Sequence, residues 1–553
     1  MEGYSANELI MKKHSALPKN GIEGLKENWR SDLQAGFFVF LLALPLCLGI
    51  ALGSGFPPSA GIITAVVGGL LVSRLNGSYV VINGPAGGLI VVMLAAVESL
   101  SDGGDMYSGY RYTLAAIMIA GLFQVIMGRY KLGSLSAFFP VPIVHGMLAA
   151  MGISIMAKQV HVMLGVTPEP GGLFSMIGQI PSSLLNATSE IAVIGLISFA
   201  ILIVWPYLKQ TKVGKIPAPI IVLIVGMGLA QFFGIQYDHM HFGQAEGHAH
   251  LIAPPFLVDI PDDFSEYFCL PDFSKVLTFE FWLATMTICM VASLESLLSA
   301  TAAEKIDPYK RPTDLNQDLA AVGLGNVISG FLGGLPMIAE FVRSSANVEG
   351  GAKTGWANFF HGLILLFFVA LFPHVIHSIP HAALAALLVF VGYRRATPKI
   401  FAQILAIGKD QLFLFVVTIL AVLATNLLVG VFFGVFIKLL LHLSRGVWLN
   451  NLFKIHFTIE EKGEHVTVKI IGSALFSNFL PLKWAVDSIE PGKIIIFDFS
   501  EGYLIDHSIL IYIDEFSAHY ARTGGSCRKV GHALETYSDH DLAVRLMTVD
   551  DRK

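Results

Sequence analysis

Apolar runs broken by short polar or Gly/Pro-containing stretches recur along this chain from Gly36 to Val447. A helix needs roughly 20 apolar residues to cross a bilayer, and the pattern predicts about 14 hydrophobic elements. Their spans are 35–53, 58–75, 84–99, 110–128, 139–164, 190–207, 216–234, 279–301, 317–334, 337–348, 356–372, 376–392, 411–428 and 430–447. The third and tenth are too short or too interrupted to cross alone. From about Leu452 the pattern changes: Phe453–Ile459, Val466–Ile471 and Lys493–Phe499 predict strands, and Ser508–Ala521 predicts an amphipathic helix. The expected organisation is a tail over 1–32, a membrane domain over 33–449 and a small α/β domain over 450–553. Within the membrane domain, repeats over 33–235 and 279–449 flank a His- and Asp-rich loop over 236–278.

Composition removes the soluble alternatives. Hydrophobic residues make up 54% of the 553 and charged ones 14%, against about 25% charged in a soluble domain. Mean hydropathy is +0.66. The net charge of −5 is mild and argues neither for nucleic acid nor for acidic partners, and no nucleic-acid partner is expected. Cys47, Cys269, Cys289 and Cys527 lie far apart and form neither a disulfide framework nor a metal pair. Lys12, Lys13, His14, Lys19, Lys26 and Arg30 precede no cleavable apolar core, so the tail reads as cytoplasmic rather than as a signal peptide. Lys and Arg fall on alternate loops, among them Arg129 and Lys131, Lys209, Lys212 and Lys215, and Arg394, Arg395 and Lys399. Asp102, Asp105, Asp238, Glu246, Asp259, Asp262, Asp263, Glu266 and Asp272 mark the opposite side. The bias places both termini in the cytoplasm of a multi-pass inner (plasma) membrane protein.

The two interrupted elements carry the chemistry. Ser78–Gly88 is a β-branched stretch running into Gly84-Pro85-Ala86, and Pro suits the first turn of a helix. Gly333-Gly334-Leu335-Pro336-Met337-Ile338 repeats that logic in the second half. Each is third in a block of seven, and an odd block reverses direction in the membrane. Paired discontinuous helices in inverted repeats point to a substrate site near the midplane. Two facing helix N-termini offer N–H groups and positive dipole ends to an anion. Gly84, Pro85, Ala86, Pro336, Met337 and Ile338 are therefore expected to line it.

Ionisable groups inside apolar spans are costly, and so are functional candidates. Arg343 would add a full positive charge beside the anion. Glu340, at i−3, either forms a salt bridge with it, tempers its charge, or binds a proton or cation. Glu295, deep in the eighth span, is either tied to a neighbouring helix or carries a coupling ion. Glu98 lies near the outer end of the third element. The stretch His239–His250 holds imidazoles able to catch Zn²⁺, but its exposed, acid-rich character favours a solvated loop. No nucleophile–base order, HExxH or phosphate loop stands out, so no enzyme, metal site or cofactor is expected beyond a coupling Na⁺ or H⁺.

Together these motifs resemble the SulP anion transporters over nearly the whole chain. Ala43-Leu44-Pro45-Leu46 and Ile82–Gly87 are similar to that family's first and third signatures. Leu294–Ala300, Asn316–Asn326 and Gly333–Pro336 are similar to its eighth, ninth and tenth. The resemblance implies an all-α polytopic fold of seven-plus-seven inverted repeats, a homodimer in the lipid bilayer, elevator-like alternating access and a C-terminal STAS-like domain. It also places Ser508, in Asp506-His507-Ser508, where that domain carries a phosphorylation position; a plain helix N-cap is the alternative. Ile338–Val342 departs from the family's small-residue stretch, and the variant looks like the branch proposed to carry bicarbonate.

The resulting expectation is secondary active transport of a small inorganic anion, bicarbonate slightly ahead of sulfate, coupled to Na⁺ or H⁺. Alternatives are a nucleobase-type carrier of the same architecture and an anion-sensing motor or signalling module without turnover.

Overall fold

The computed structural model describes residues 17–19, 21–133, 140–168, 173–208, 216–235, 256–261, 267–425, 427–521, 524–531, 534–536 and 544–547. The His-rich stretch His239–His250 lies outside the described residues. Contacts divide the chain into two compact units, one of residues 1–133 and 155–391 and one of residues 134–154 and 392–553.

The first half of the chain contributes α1 (Gly21–Gly53), α2 (Pro58–Leu70), β1 (Asn83–Pro85), α3 (Ile90–Leu100) and α4 (Met106–Arg129). It continues through α5 (Val141–Met163), α6 (Leu173–Leu185), α7 (Ser189–Leu208) and α8 (Ala218–Phe232). The second half holds α9 (Phe279–Ile306), α10 (Leu315–Leu332), β2 (Met337–Ala339), α11 (Phe341–Glu349) and α12 (Trp356–Leu371). After these come α13 (Pro373–His377), α14 (His381–Arg395), α15 (Pro398–Ile407), α16 (Lys409–Ala424) and α17 (Leu427–Ser444). Among the described residues, six helices are long and apolar enough to cross a membrane, and five more apolar helices are shorter.

Three features depart from the sequence pattern. Helix α1 begins at Gly21 rather than near residue 35, because its first turns bury Asn28 and Asp32 in the protein. The Asp32 carboxylate accepts from the Lys353 and Thr354 amides at 2.8 and 3.2 Å and from the Thr354 hydroxyl at 2.6 Å. Helices α6 and α15 fall where no span was expected, and 376–392 resolves into α13 and α14. Each half-helix also starts later than Pro85 or Pro336, as a short strand intervenes.

Helices of the first unit pack through small residues, which let backbones approach where no hydrophobic effect drives association. A Cβ on Gly69 would meet Gly362 Cα at 2.6 Å, joining α2 to α12, and one on Gly121 would meet the Gly323 carbonyl at 2.6 Å, joining α4 to α10. Large apolar side chains such as Phe367, Leu371 and Phe279 are exposed instead, as an apolar solvent permits.

In the second unit, α18 (Leu449–Phe453) leads into β3 (His456–Lys462), β4 (His465–Ala474), α19 (Leu480–Asp487), β5 (Ile494–Ile505) and α20 (His507–Tyr520). Strands β6 (Ser526–Val530), β7 (Leu534–Thr536) and β8 (Arg545–Met547) complete a sheet of order β3-β4-β5-β8-β7, with β6 also on β5. Pairing is parallel for β4/β5 and β5/β6 and antiparallel elsewhere. Val466, Val468 and Ile470 on β4 and Ile495, Phe497 and Phe499 on β5 keep the period of two that sends alternate side chains into the core. Ile509, Leu510 and Ile513 of α20 cover them.

Helix α17 is anchored to this sheet domain by charge. Lys438, four residues before His442, places its Nζ 3.0 Å from Asp506 Oδ2, with both side chains almost fully buried. His442 Nε2 lies 3.9 Å from the same oxygen, and the ammonium stands 5.2 Å over the Phe476 ring. Tyr503 donates to the Arg445 carbonyl at 2.7 Å, and Arg445 pairs with Asp410 at 2.9 Å. Burial alone would raise the Asp506 carboxyl, but Lys438 and then His442 outweigh it and hold the group below the ordinary carboxylate range. The pair's contribution to stability is thus complete above an unfolded value of about 4 and is lost only as pH falls through the lower folded value. At neutral pH, Asp506→Asn leaves Lys438 buried without a counter-charge and is expected to destabilise the unit by about 3–5 kcal/mol. The double variant Lys438→Met/Asp506→Leu should recover most of that loss in thermal unfolding; a double variant as weak as the single one refutes this account.

Candidate functional site

The Gly/Pro breaks at the third and tenth elements come together in the first unit. β1 and β2 pair antiparallel, with Asn83 opposite Ala339, Gly84 opposite Ile338 and Pro85 opposite Met337. Every residue of both strands is buried. Ala86, Pro336, Met337 and Ile338 are buried with them, so the two breaks expected to face one another do meet. What they build is different. Residues 84–86 and 336–338 form a crossing ladder rather than helix starts, because extended backbone in an apolar interior must find partners. After β1 the chain makes a 3₁₀ turn over Gly87–Leu89 and enters α3 at Ile90; after β2 it enters α11 at Phe341.

The two helical ends are chemically unlike. The turn at Gly87–Leu89 has no side-chain cap, so its first amides present donors and a positive dipole end. The Glu295 carboxylate of α9, itself 4% exposed, packs directly against Gly88, where any Cβ would collide with it. The start of α11 is instead capped by Glu340, which accepts the Arg343 amide at 3.3 Å. The alternative of a Glu340–Arg343 side-chain salt bridge is thereby replaced: the carboxylate serves as an N-cap, and no ion pair joins the two side chains among the described residues.

Arg343 is fully buried. Its Nη2 crosses between the halves of the chain to donate to the Pro85 carbonyl at 3.1 Å. Nε and Nη1 are buried without an oxygen or nitrogen acceptor among the described residues, and the Cys47 thiol of α1 faces the same guanidinium. Gly84 is the one strand residue that lets Nη1 lie so close to the backbone, since an added Cβ would overlap it.

Several positioning groups carried no distinctive sequence signal. The Ala339 amide donates to Ser296 Oγ at 3.0 Å, and the Ile82 amide to Ser344 Oγ at 3.0 Å. Asn347 donates to the Val80 carbonyl at 2.9 Å, and Asn358 to Asn83 Oδ1 at 3.1 Å. Small polar residues one turn apart on apolar helices are the only hint of them that the sequence offers. Ser508 lies elsewhere, in the second unit, as the second residue of α20 and mostly buried. Asp506, not Ser508, holds the position before the helix, accepting the His507 amide at 2.8 Å. Glu98 is exposed on α3. Among the described residues, no group of three or more His, Cys, Asp or Glu could hold a metal ion.

Residues 29–418 match the sulfate permease family. The chain belongs to that family. Among sulfate permease relatives, a putative sulfate transporter of Bacillus subtilis, YvdB, is 26% identical over 76% of this chain and 74% of its own length. The bicarbonate transporter BicA of a Picosynechococcus strain is 26% identical over 76% of this chain and 71% of its own. The solved transmembrane domain of a cyanobacterial BicA superposes with a TM-score of 0.62 at 21% identity, covering 73% of this chain and 97% of that one. SLC26A9 does so at 0.65 and 15%, covering 91% and 84%. At these identities the structural likeness shows the shared fold alone.

The packing around Gly88 gives a direct test. Gly88→Ala is expected to lower the melting temperature of the purified protein by several degrees, the scale of about 1–3 kcal/mol that overpacking costs. Adding Glu295→Ser should restore it, and a double variant no better than Gly88→Ala would show that the carboxylate is not the obstacle.

Proposed function

We propose that this sulfate permease family member is a secondary active transporter of a small inorganic anion. The carrying observation is Arg343: a fully buried guanidinium at the strand crossing that spends one nitrogen on Pro85 and leaves two without an oxygen or nitrogen acceptor among the described residues. A buried cation with donors to spare is stabilised by an anion, and Gly84, Pro85, Ala86, Pro336, Met337 and Ile338 surround the place where it would sit. The uncapped turn at Gly87 adds amide donors.

Bicarbonate ranks ahead of sulfate on the same chemistry. Glu295 and Glu340 bring two carboxylates near the crossing. A monoanion with an O–H can donate to a carboxylate, whereas a dianion with acceptors only is repelled by it. Glu295, buried and next to the turn that would bind the anion, is the residue we assign to coupling. Its carboxylate competes for the positive end of that turn until a Na⁺ or H⁺ neutralises it. The pairing of two matched strands in antiparallel fashion supports seven-plus-seven inverted repeats; the elevator-like movement, homodimer, STAS-like sheet domain and cytoplasmic termini in the plasma membrane are proposed from membership of the family. A nucleobase carrier of the same architecture would have no use for the free donors of Arg343. An anion-sensing module would bind without flux.

Uptake of radiolabelled bicarbonate and sulfate into proteoliposomes, with and without an inward Na⁺ gradient, tests the reading. Arg343→Gln is expected to reduce uptake to background while leaving expression unchanged; undiminished uptake removes it from the site. In Glu295→Gln, uptake should persist but lose its dependence on the cation or pH gradient, and retained dependence excludes the coupling role.

A further inference from the structure

Met337 presents a problem that the ladder itself does not solve. Two strands of three residues have open edges on both sides, and so short a pair is at best marginal on its own. Because successive residues of a strand face opposite ways, Met337 and Ala339 turn their amides to the same side, and side chains meet both. The chain leading in is held in the same alternation. The Gly333 carbonyl accepts from Tyr110 at 2.7 Å. The Leu335 carbonyl accepts from Ser329 at 2.7 Å and from Thr64 at 3.0 Å.

Met337 receives the most complete treatment. Asn326 Oδ1 of α10 accepts its amide at 2.6 Å, while Asn326 Nδ2 donates to its carbonyl at 3.3 Å. One carboxamide thus grips both backbone groups of one residue, as a neighbouring strand would. The same Nδ2 donates to Gln124 Oε1 of α4 at 2.7 Å, and Gln124 Nε2 donates to Ser293 Oγ of α9 at 3.1 Å. Gln124, Asn326, Ser293 and Met337 are each at most 3% exposed. The network fixes the amide orientation, since exchanging the oxygen and nitrogen of Asn326 would set donor against donor at Met337. The close approach of Gly121 and Gly323 is what brings Gln124 and Asn326 within reach of each other.

Met337 is the residue opposite Pro85, and the Pro85 carbonyl holds Arg343. We infer that Asn326, braced by Gln124, is a positioning residue for the anion: it sets where Met337 stands, hence where Pro85 and the Arg343 guanidinium stand. This rests on the anion-binding role proposed for Arg343. Asn326 acts on the site through the strand it holds, so its loss should be felt in affinity before turnover.

The test compares wild type, Asn326→Ala, Asn326→Asp, Gln124→Leu and the Asn326→Ala/Gln124→Leu double variant in bicarbonate uptake by proteoliposomes. Asn326→Ala is expected to raise the half-saturation concentration roughly tenfold, the equivalent of about 1.4 kcal/mol, with the maximal rate within about twofold. Gln124→Leu should raise it less, and the double variant no further than Asn326→Ala alone, because the path runs through Asn326. Hydrogen exchange of the Met337 peptide gives an arm independent of transport. Its amide should exchange faster in Asn326→Ala and stay protected in Asn326→Asp, which keeps an acceptor. Asn326→Asp also serves if the alanine variant does not fold, with an affinity between the two. A lowered maximal rate at unchanged half-saturation, strict additivity of the two sites, or unchanged exchange in Asn326→Ala each overturn the inference. Absence of uptake by wild type instead sinks the anion-transport reading, and the exchange arm alone then decides whether Asn326 holds the strand.

Discussion

Extended backbone in the interior of an apolar helical protein is the constraint from which the rest follows. A helix satisfies its own amides; a strand of three residues cannot, and no water is at hand to do it. The crossing of Asn83–Pro85 with Met337–Ala339 solves half of the problem by pairing the strands with each other. The remainder falls to side chains that would otherwise have no business in an apolar span: Ser296, Ser344, Asn347 and Arg343. Ser296 comes from α9 and the other three from α11, and the α11 side chains reach the β1 segment of the other half, so the crossing ties together segments far apart in sequence. A crossing made largely of backbone is in this way fixed by side chains from the helices around it.

The same constraint explains why proline and glycine sit where they do. Pro85 carries no N–H, so it can face an open edge without leaving a donor stranded, and its carbonyl is free for Arg343. Gly84 and Gly88 are the points where charged side chains, Arg343 and Glu295, come closest to the backbone. A Cβ at either place would push the charge away. These residues read as breaks in the sequence, and they are, but their use is to admit charge of opposite sign on either side of one short turn.

Much of this was legible. Apolar runs located most of the long helices to within a few residues, though not α6, α15 or the start of α1, and the matched Gly/Pro breaks at the third and tenth elements identified the crossing. The strands themselves were not, because three-residue elements carry no period, and the helix starts were placed too early for the same reason. The extension of α1 to Gly21 was hidden by polar residues that look solvated, although Asp32 is tied to the Thr354 turn. Glu340 was legible as a charge near Arg343, yet spacing alone cannot distinguish an i−3 salt bridge from an N-cap. Lys438 was passed over altogether, since a single lysine near the end of an apolar run usually reaches water.

That lysine and Arg343 show two opposite uses of a buried cation. Lys438 is matched by Asp506 at 3.0 Å, so its charge is cancelled within the protein, and the pair serves to fasten the sheet domain to α17. Arg343 has no ion-pair partner at salt-bridge distance among the described residues; its guanidinium meets a carbonyl, a thiol and a glycine, which orient it without neutralising it. A fully compensated ion pair would gain nothing from a ligand. An oriented and uncompensated one keeps an electrostatic deficit, and that deficit is the physical ground on which the proposed anion-binding role of Arg343 rests.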